Sequence, residues 1–285
     1  MQHLMPSKKN KSKFRFDHYL GIPYYIILFI LVVIPIFLLI LASFQSDTTS
    51  TSIFPFNFSL ENYQSFLSES AFVRSMTNSL WIAFATTIGS LIIGYPLAYL
   101  LTKMRPRTAA TMLILINAPM WINTLLRVRA LEQIFRMLFP FLINSAAGVV
   151  IGLIYVYLPF MVLPIYAILA KIDKNLLESS ADLGASKTQT FARVILPLSL
   201  SGVVSGILMV FLPAATTIIV PQYLAPSQNI YMIGTLIEQK VKISGKISYG
   251  SAVAIVLSLI ILGIVFYIKK LDKYKGVNRN ELEEK

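Results

Sequence analysis

The chain has 285 residues, 56% hydrophobic and 13% charged, with a mean hydropathy of +0.69 and a formal net charge of +12. That balance leaves too little polar surface for a soluble domain of this size, and the absence of cysteine excludes disulfides, thiolate metal sites and cysteine nucleophiles. Both histidines, His3 and His18, fall in the N-terminal tail, so no histidine metal site or proton relay is expected in the apolar segments.

Residues 1–23 form a basic tail. Tyr24 to Phe44 is the first window near the ~20 apolar residues that cross a bilayer; "LASFQSD" is a poor cleavage site, which marks the window as an anchor. After the polar "SDTTSTS", Ser59 is placed to cap a short outer amphipathic helix whose Leu60, Tyr63, Phe66 and Leu67 share a face. Trp81 opens the second predicted span, which ends at Leu101 before "KMRPR". The third is expected from Thr108 to about Leu126, with Trp121 near its outer end, followed by a re-entrant or interfacial stretch from Arg127 to Ser145. Ala146 to Ala170 is the fourth, Leu198 to Val220 the fifth and Gly250 to Ile268 the sixth, with an outer segment between the last two. The predicted fold is thus an all-α polytopic membrane protein with six spans and a charged loop between the fourth and fifth.

Most of the 25 Lys and Arg fall in four places: 8–15, 103–107, Lys171 to Arg193, and the tail from Lys269. Alternation of basic and non-basic segments is the positive-inside pattern. It places both termini and the charged loop in the cytoplasm and the chain in the cell (inner, cytoplasmic) membrane. The charge therefore reports topology and membrane contact, not nucleic-acid binding.

That loop, "LLESSADLGASKTQTFARVILP", carries a full set of helix signals. Asp173 is an N-cap; Leu176, Leu177, Ala181 and Leu183 form an apolar set; Glu178 and Asp182, four apart, share an exposed face. Gly184 supplies a left-handed stop, Ser186 with Gln189 a capping box for the next helix, and Pro197 is expected to close that helix before the fifth span. Two short capped helices with an apolar stripe read as a docking knob for a soluble partner rather than as a solvated loop.

The spacing of Glu178-Ser179-Ser180, Gly184, Val194, Leu196 and Pro197 resembles the "EAA…G…I-LP" coupling loop of ABC importer permeases, with serines for both alanines and valine for isoleucine. "NSLWIAFATTIGSLIIGYPLAYLL" and "GLIYVYLPFMVLPIYAILAKIDKNLLE" further resemble the spermidine/putrescine permeases of the PotB type, and the similarity runs from Gly21 to Ile268. The stretch between Phe135 and Ala146 is shorter than in the usual polyamine permease. The resemblance implies a type I importer with the MetI-like fold, dividing the chain into a basic tail (1–23), a first span with an outer amphipathic segment (24–72), the transporter core (73–268) and a second tail (269–285). It implies a homodimeric ATPase, a second PotC-like permease chain and an external polyamine-binding protein as partners. Glu178, Ala181, Asp182, Leu183, Gly184, Ala185 and Ser186 would meet the ATPase. No cofactor is expected in this chain; ATP and Mg would be held by the ATPase, since the chain has no G-x-x-x-x-G-K-[ST] phosphate loop.

A polycation needs carboxylates and aromatic faces along its route. The candidates are Trp121, Glu132, Tyr155, Tyr157 and Glu238, against the alternatives of interfacial ion pairs (with Arg129 or Lys242) and ordinary helix packing. A different small solute fits the same scarcity of charge. A secondary transporter would show ionisable residues within its spans or an inverted repeat, and an intramembrane enzyme a ligand set or a nucleophile with its base. Neither pattern is visible, no catalytic residue is assigned, and both leave the charged loop unexplained.

Overall fold

The computed structural model describes residues 23–46, 57–227, 230–242 and 245–283. The N-terminal basic tail and nearly all of "SDTTSTS" lie outside these, as do the side chains of Phe66 and Leu67. In chain order the helices are α1 (Pro23–Ser43), α2 (Glu61–Ser68), α3 (Ser70–Lys103), α4 (Pro106–Asn117), α5 (Thr124–Leu138) and α6 (Ala146–Leu169). They continue with α7 (Lys174–Asp182), α8 (Lys187–Thr216), α9 (Ile219–Leu224), α10 (Ile233–Lys242) and α11 (Ile247–Glu283). Among the described residues the β pairing is one isolated bridge, Gln45 with Phe58. That bridge closes the loop after α1, and Asn62 fastens α2 to it by donating to the Gln45 carbonyl at 2.7 Å.

Among the described residues five helices are long and apolar enough to cross a membrane: α1, α3, α6, α8 and the Ile247–Ile268 part of α11. A sixth crossing is the pair formed by α4, extended by a 3₁₀ turn to Trp121, and α5, if this broken unit is taken as one span. The six-span fold expected from the sequence is therefore present, with differences in detail. The second span starts at Ser70, not Trp81: nothing from 70 to 80 breaks a helix, and Phe72 and Met76 are buried there, so a hydropathy window marks only part of it. The third is bent by 96°. Pro119 cannot continue the α-helical ladder, and Asn123 starts a new helix by accepting from the Leu125 amide at 2.9 Å. Leu125 and Leu126 consequently belong to α5. Pro197 does not stop a helix either: α8 runs unbroken from Lys187 to Thr216, with a π turn at Phe191–Ile195 just before the proline. The fifth span ends at Thr216, so Val220 sits on the separate helix α9.

The most enclosed span is α6, with 44% of its apolar window buried against 11% for α1, which lies on the flank against α11. Around α6 pack α3 and α8, and α8 comes close to α6 at Gly202 and Gly206. A Cβ at Gly202 would stand 2.8 Å from the Pro164 carbonyl oxygen, and one at Gly206 2.7 Å from the Met161 sulfur. Two small residues four apart let helix backbones approach where hydrophobic driving force between helices is weak.

At the end of the bundle where α3 begins, Glu69 ties three elements together. Its carboxylate accepts from Lys240 Nζ of α10 at 2.7 Å and from the Tyr249 hydroxyl of α11. Burial alone raises its pKa, but those two hydrogen bonds and the charges of Lys240 and Lys246 outweigh it, holding the carboxyl below its ordinary value of 4.5.

Two tests follow from this packing. Gly202→Ala must push a backbone carbonyl aside and is expected to cost about 1–3 kcal/mol, lowering the thermal midpoint in detergent, whereas Gly263→Ala, whose Cβ meets nothing within 4 Å, leaves it unchanged or raises it. For Glu69, a depressed folded-state pKa means its stabilisation is complete above pH 4.5 and lost as pH falls through the folded value. Thermal melts of wild type should therefore fall more steeply below pH 4.5 than those of Glu69→Gln.

Candidate functional site

Asp173 caps α7 by accepting from the Asn175 amide at 2.9 Å, and the helix ends in a left-handed turn at Gly184, φ +80°. The Gly184 and Ala185 amides return to the carbonyls of Ala181 and Ser180 at 2.9 and 3.1 Å, which satisfies the exposed helix end. Two residues on, the Gln189 amide donates to Ser186 Oγ at 3.3 Å and the Ser186 amide to Gln189 Oε1 at 2.9 Å, a complete capping box. A hydroxyl pair, Ser180 with Thr190 at 3.0 Å, links the two helices. The result is a rigid knob. At its tip Leu183 is 89% exposed, with Leu176, Glu178, Ala181, Asp182, Gly184 and Ser186 also exposed and Ala185 half-buried. A Cβ on Gly184 would meet nothing in this chain within 4 Å.

The base of the knob is fixed by residues that the sequence reading did not single out. The Phe191 ring stands edge-on to Tyr95 and Tyr99 of α3, with centroids at 5.9 and 5.4 Å. Tyr95 shares a hydrogen bond with Ser199 of α8 at 2.8 Å. Leu177 and Ile172 pack on the same apolar cluster as Phe191. Beside them Tyr99, Lys103, Leu169, Leu177 and Glu178 line a cavity of about 410 Å³ between knob and bundle. The signal available in the sequence was the pair of tyrosines four apart near the end of α3, which place two rings on one helix face.

The candidates for a substrate route lie elsewhere in the bundle and are not gathered into one cleft. Trp121, at the end of the 3₁₀ turn, is 83% exposed, and Tyr155 faces outward from α6. Tyr157, on another side of α6, is half-buried, with its hydroxyl donating to the Pro213 carbonyl at 3.5 Å. Glu132 is buried on α5 between two arginines, Arg136 at 2.9 Å and Arg129 at 3.5 Å, and Arg129 also lies 4.2 Å from the Tyr223 ring centre. Glu238 pairs with Lys242 at 2.5 Å and, alone of the five, lines a cleft of about 300 Å³ between α9 and α10. A further residue, one that no local pattern singles out, is Arg127. It is buried, donates from Nη2 to Thr124 Oγ1 at 3.3 Å, and its Nε and Nη1 have no hydrogen-bond partner among the described residues.

Comparison with known proteins bears on the whole of this arrangement. The family described as binding-protein-dependent transport system inner membrane component matches residues 90–270. The spermidine/putrescine transport system permease protein PotB of Haemophilus influenzae is 33% identical over 257 residues, covering 85% of this chain and 89% of that protein. PotB of Escherichia coli is 34% identical over 226 residues, covering 74% and 81%. Among solved structures, a bacterial ABC transporter involved in the import of the acidic polysaccharide alginate superposes with a TM-score of 0.73 at 13% identity, covering 92% of this chain and 96% of that one. The MetNI methionine ABC transporter superposes at 0.54 and 20% identity, covering 72% and 94%. At those identities the structures show a shared fold. The family match over most of the transporter core and the identity to PotB over most of the chain agree, and the chain belongs to the family of binding-protein-dependent transport system inner membrane components.

Proposed function

We propose that this chain is one permease subunit of an ATP-driven importer for polyamines such as spermidine and putrescine, forming part of the translocation path. The observation that carries the reading is 33% identity to PotB across 85% of the chain, in a structure whose exposed, doubly capped knob suits docking to a soluble subunit. In this reading a separate homodimeric ATPase binds ATP and Mg, a PotC-like chain completes the path, and an external binding protein delivers substrate. The knob and both termini face the cytoplasm, with residues 73–268 as the transporter core. The chain itself is non-catalytic.

Leu183 and Leu176 give the knob its apolar tip, Glu178 and Asp182 its polar rim, and Gly184 lets another surface come close to the backbone. Displacement of the knob reaches the bundle by two routes. One is the Phe191 ring against Tyr95 and Tyr99; the other is the unbroken helix α8, which meets α6 at Gly202 and Gly206. An arginine at position 184 would have to enter a left-handed conformation and would fill the close-approach surface.

The test is co-purification from native membranes in mild detergent. Wild type is expected to retain a protein with a phosphate-loop ATPase motif, and Gly184→Arg to lose or deplete it; wild type emerging alone would overturn the reading. A second variant separates docking from transmission. Phe191→Ala keeps the exposed tip but removes about 2 kcal/mol of packing by a half-buried ring at the base. It is expected to retain the ATPase while substrate carried per ATP hydrolysed falls several-fold in proteoliposomes.

A further inference from the structure

The cleft between α9 and α10 differs from the other acidic position in one respect that decides what it can bind. Glu132 is buried and paired with two guanidinium groups, so its single charge is already matched twice. Among the described residues Glu238 is paired with Lys242 alone, one turn further along the same helix, whose side chain is 73% exposed while that of Glu238 is 23% exposed. Exposed pairs at this spacing are weak and hold a long side chain at an entropic cost. The carboxylate is thus half-enclosed and its ammonium partner is easily displaced.

The rest of the cleft suits the chain that would follow an ammonium group. Pro221 and Ile230 provide apolar wall for methylenes, while Gln222, Tyr231 and Gln239 offer polar groups to a second nitrogen. The cleft also lies at the opposite end of the molecule from the knob. Glu69, at the start of α3, binds Lys240 of α10, while Lys103, at its end, lies beside Glu178 of the knob. A helix of 34 residues separates these ends by about 50 Å.

We propose that this cleft is a subsite for the terminal ammonium of an alkylamine, with Glu238 as its acceptor and Lys242 as a tethered competitor that holds the position until an amine displaces it. The geometry alone supports an ammonium ligand; that the amine is a polyamine rests on the function proposed above. A tethered competitor weakens binding by design: the free amine must displace a lysine already at contact, so the subsite captures and releases instead of retaining.

Because the natural chain has no cysteine, a single introduced thiol can report on the cleft. Gln239→Cys, with Gln222→Cys as an independent reporter on α9, would be made in the full chain in lipid nanodiscs. Each would be labelled with a cationic aminoethyl and a neutral methyl methanethiosulfonate. Adding Lys242→Met is expected to raise the cationic-to-neutral rate ratio on the order of ten-fold, as a freed carboxylate attracts the ammonium. Adding Glu238→Gln should return the ratio to that of free thiol and abolish protection by putrescine, which should protect the Lys242→Met protein at a lower concentration than the protein that keeps Lys242. Equal change in both rates, or no protection by putrescine with Glu238 intact, would overturn the subsite. Spermidine uptake by the assembled wild-type transporter separates the two ideas. Uptake without a cationic preference defeats the subsite and leaves the polyamine reading standing; the preference with protection but no uptake supports the subsite and defeats the polyamine reading.

Discussion

The continuity of α8 is the constraint on which the remaining structure hangs. A helix that runs unbroken from the Ser186 capping box to Thr216 couples movement of its first turn to its last. Between those ends it touches α3 through Phe191 and Ser199 and α6 through Gly202 and Gly206. Just past its far end, Gly234 brings the start of α10 against the Thr216 and Thr217 carbonyls. One rigid element therefore connects the exposed knob with the cleft that holds Glu238. Broken helices elsewhere, at the 96° bend between α4 and α5 and between α8 and α9, give the bundle the places where it can yield.

Charge is placed with the same economy. Three acidic groups at the α3-start end of the bundle have basic partners: Glu69 with Lys240, Glu132 with two arginines, Glu238 with Lys242. They differ in how firmly the partner is held. Glu69 and Glu132 join elements or fix a helix face, where removing one charge would strand another in a poorly solvated position. Glu238 alone combines a yielding partner with open volume, and a charge of that kind can exchange ligands. Arg127 is the opposite case, a buried cation with unmade hydrogen bonds at the first turns of α5.

How much of this was legible in the sequence depended on the range of the interaction. The caps at Asp173, Gly184 and Ser186 were readable because each is settled within four residues by side-chain chemistry and φ preference. The six spans were readable from hydropathy, which responds to solvent and not to neighbours. The ends of α3 and the break in the third span were not, because hydropathy does not see a polar helix extension, and Asn123 resembles any other polar residue until its cap is formed. Pro197 misled for a related reason: proline removes one hydrogen bond, and a π turn just before it already departs from the regular ladder. The Glu69–Lys240–Tyr249 contact joins residues 171 and 180 positions apart, beyond any local pattern. The five candidates for a substrate route shared a chemistry but not a direction, and only the packed helices separate Tyr155, facing outward, from Glu238, facing a cleft. "GVVSG" at 202–206 does carry a readable signal, a small-residue spacing that is independent of any charged motif.

The π turn at Phe191–Ile195 has an evolutionary consequence as well as a mechanical one. A π turn holds one residue more than the α-helical turn it replaces and takes it up in a wider turn, so the helix on either side keeps its direction. Losing a single residue there would restore an ordinary helix and leave the span below and the knob beyond in nearly the same orientation. A residue lost from the regular part of α8 would instead rotate the knob by about 100° about the helix axis. The segment from Phe191 to Ile195 is thus the place where this helix can change its length while the surface that another protein must recognise keeps its aim.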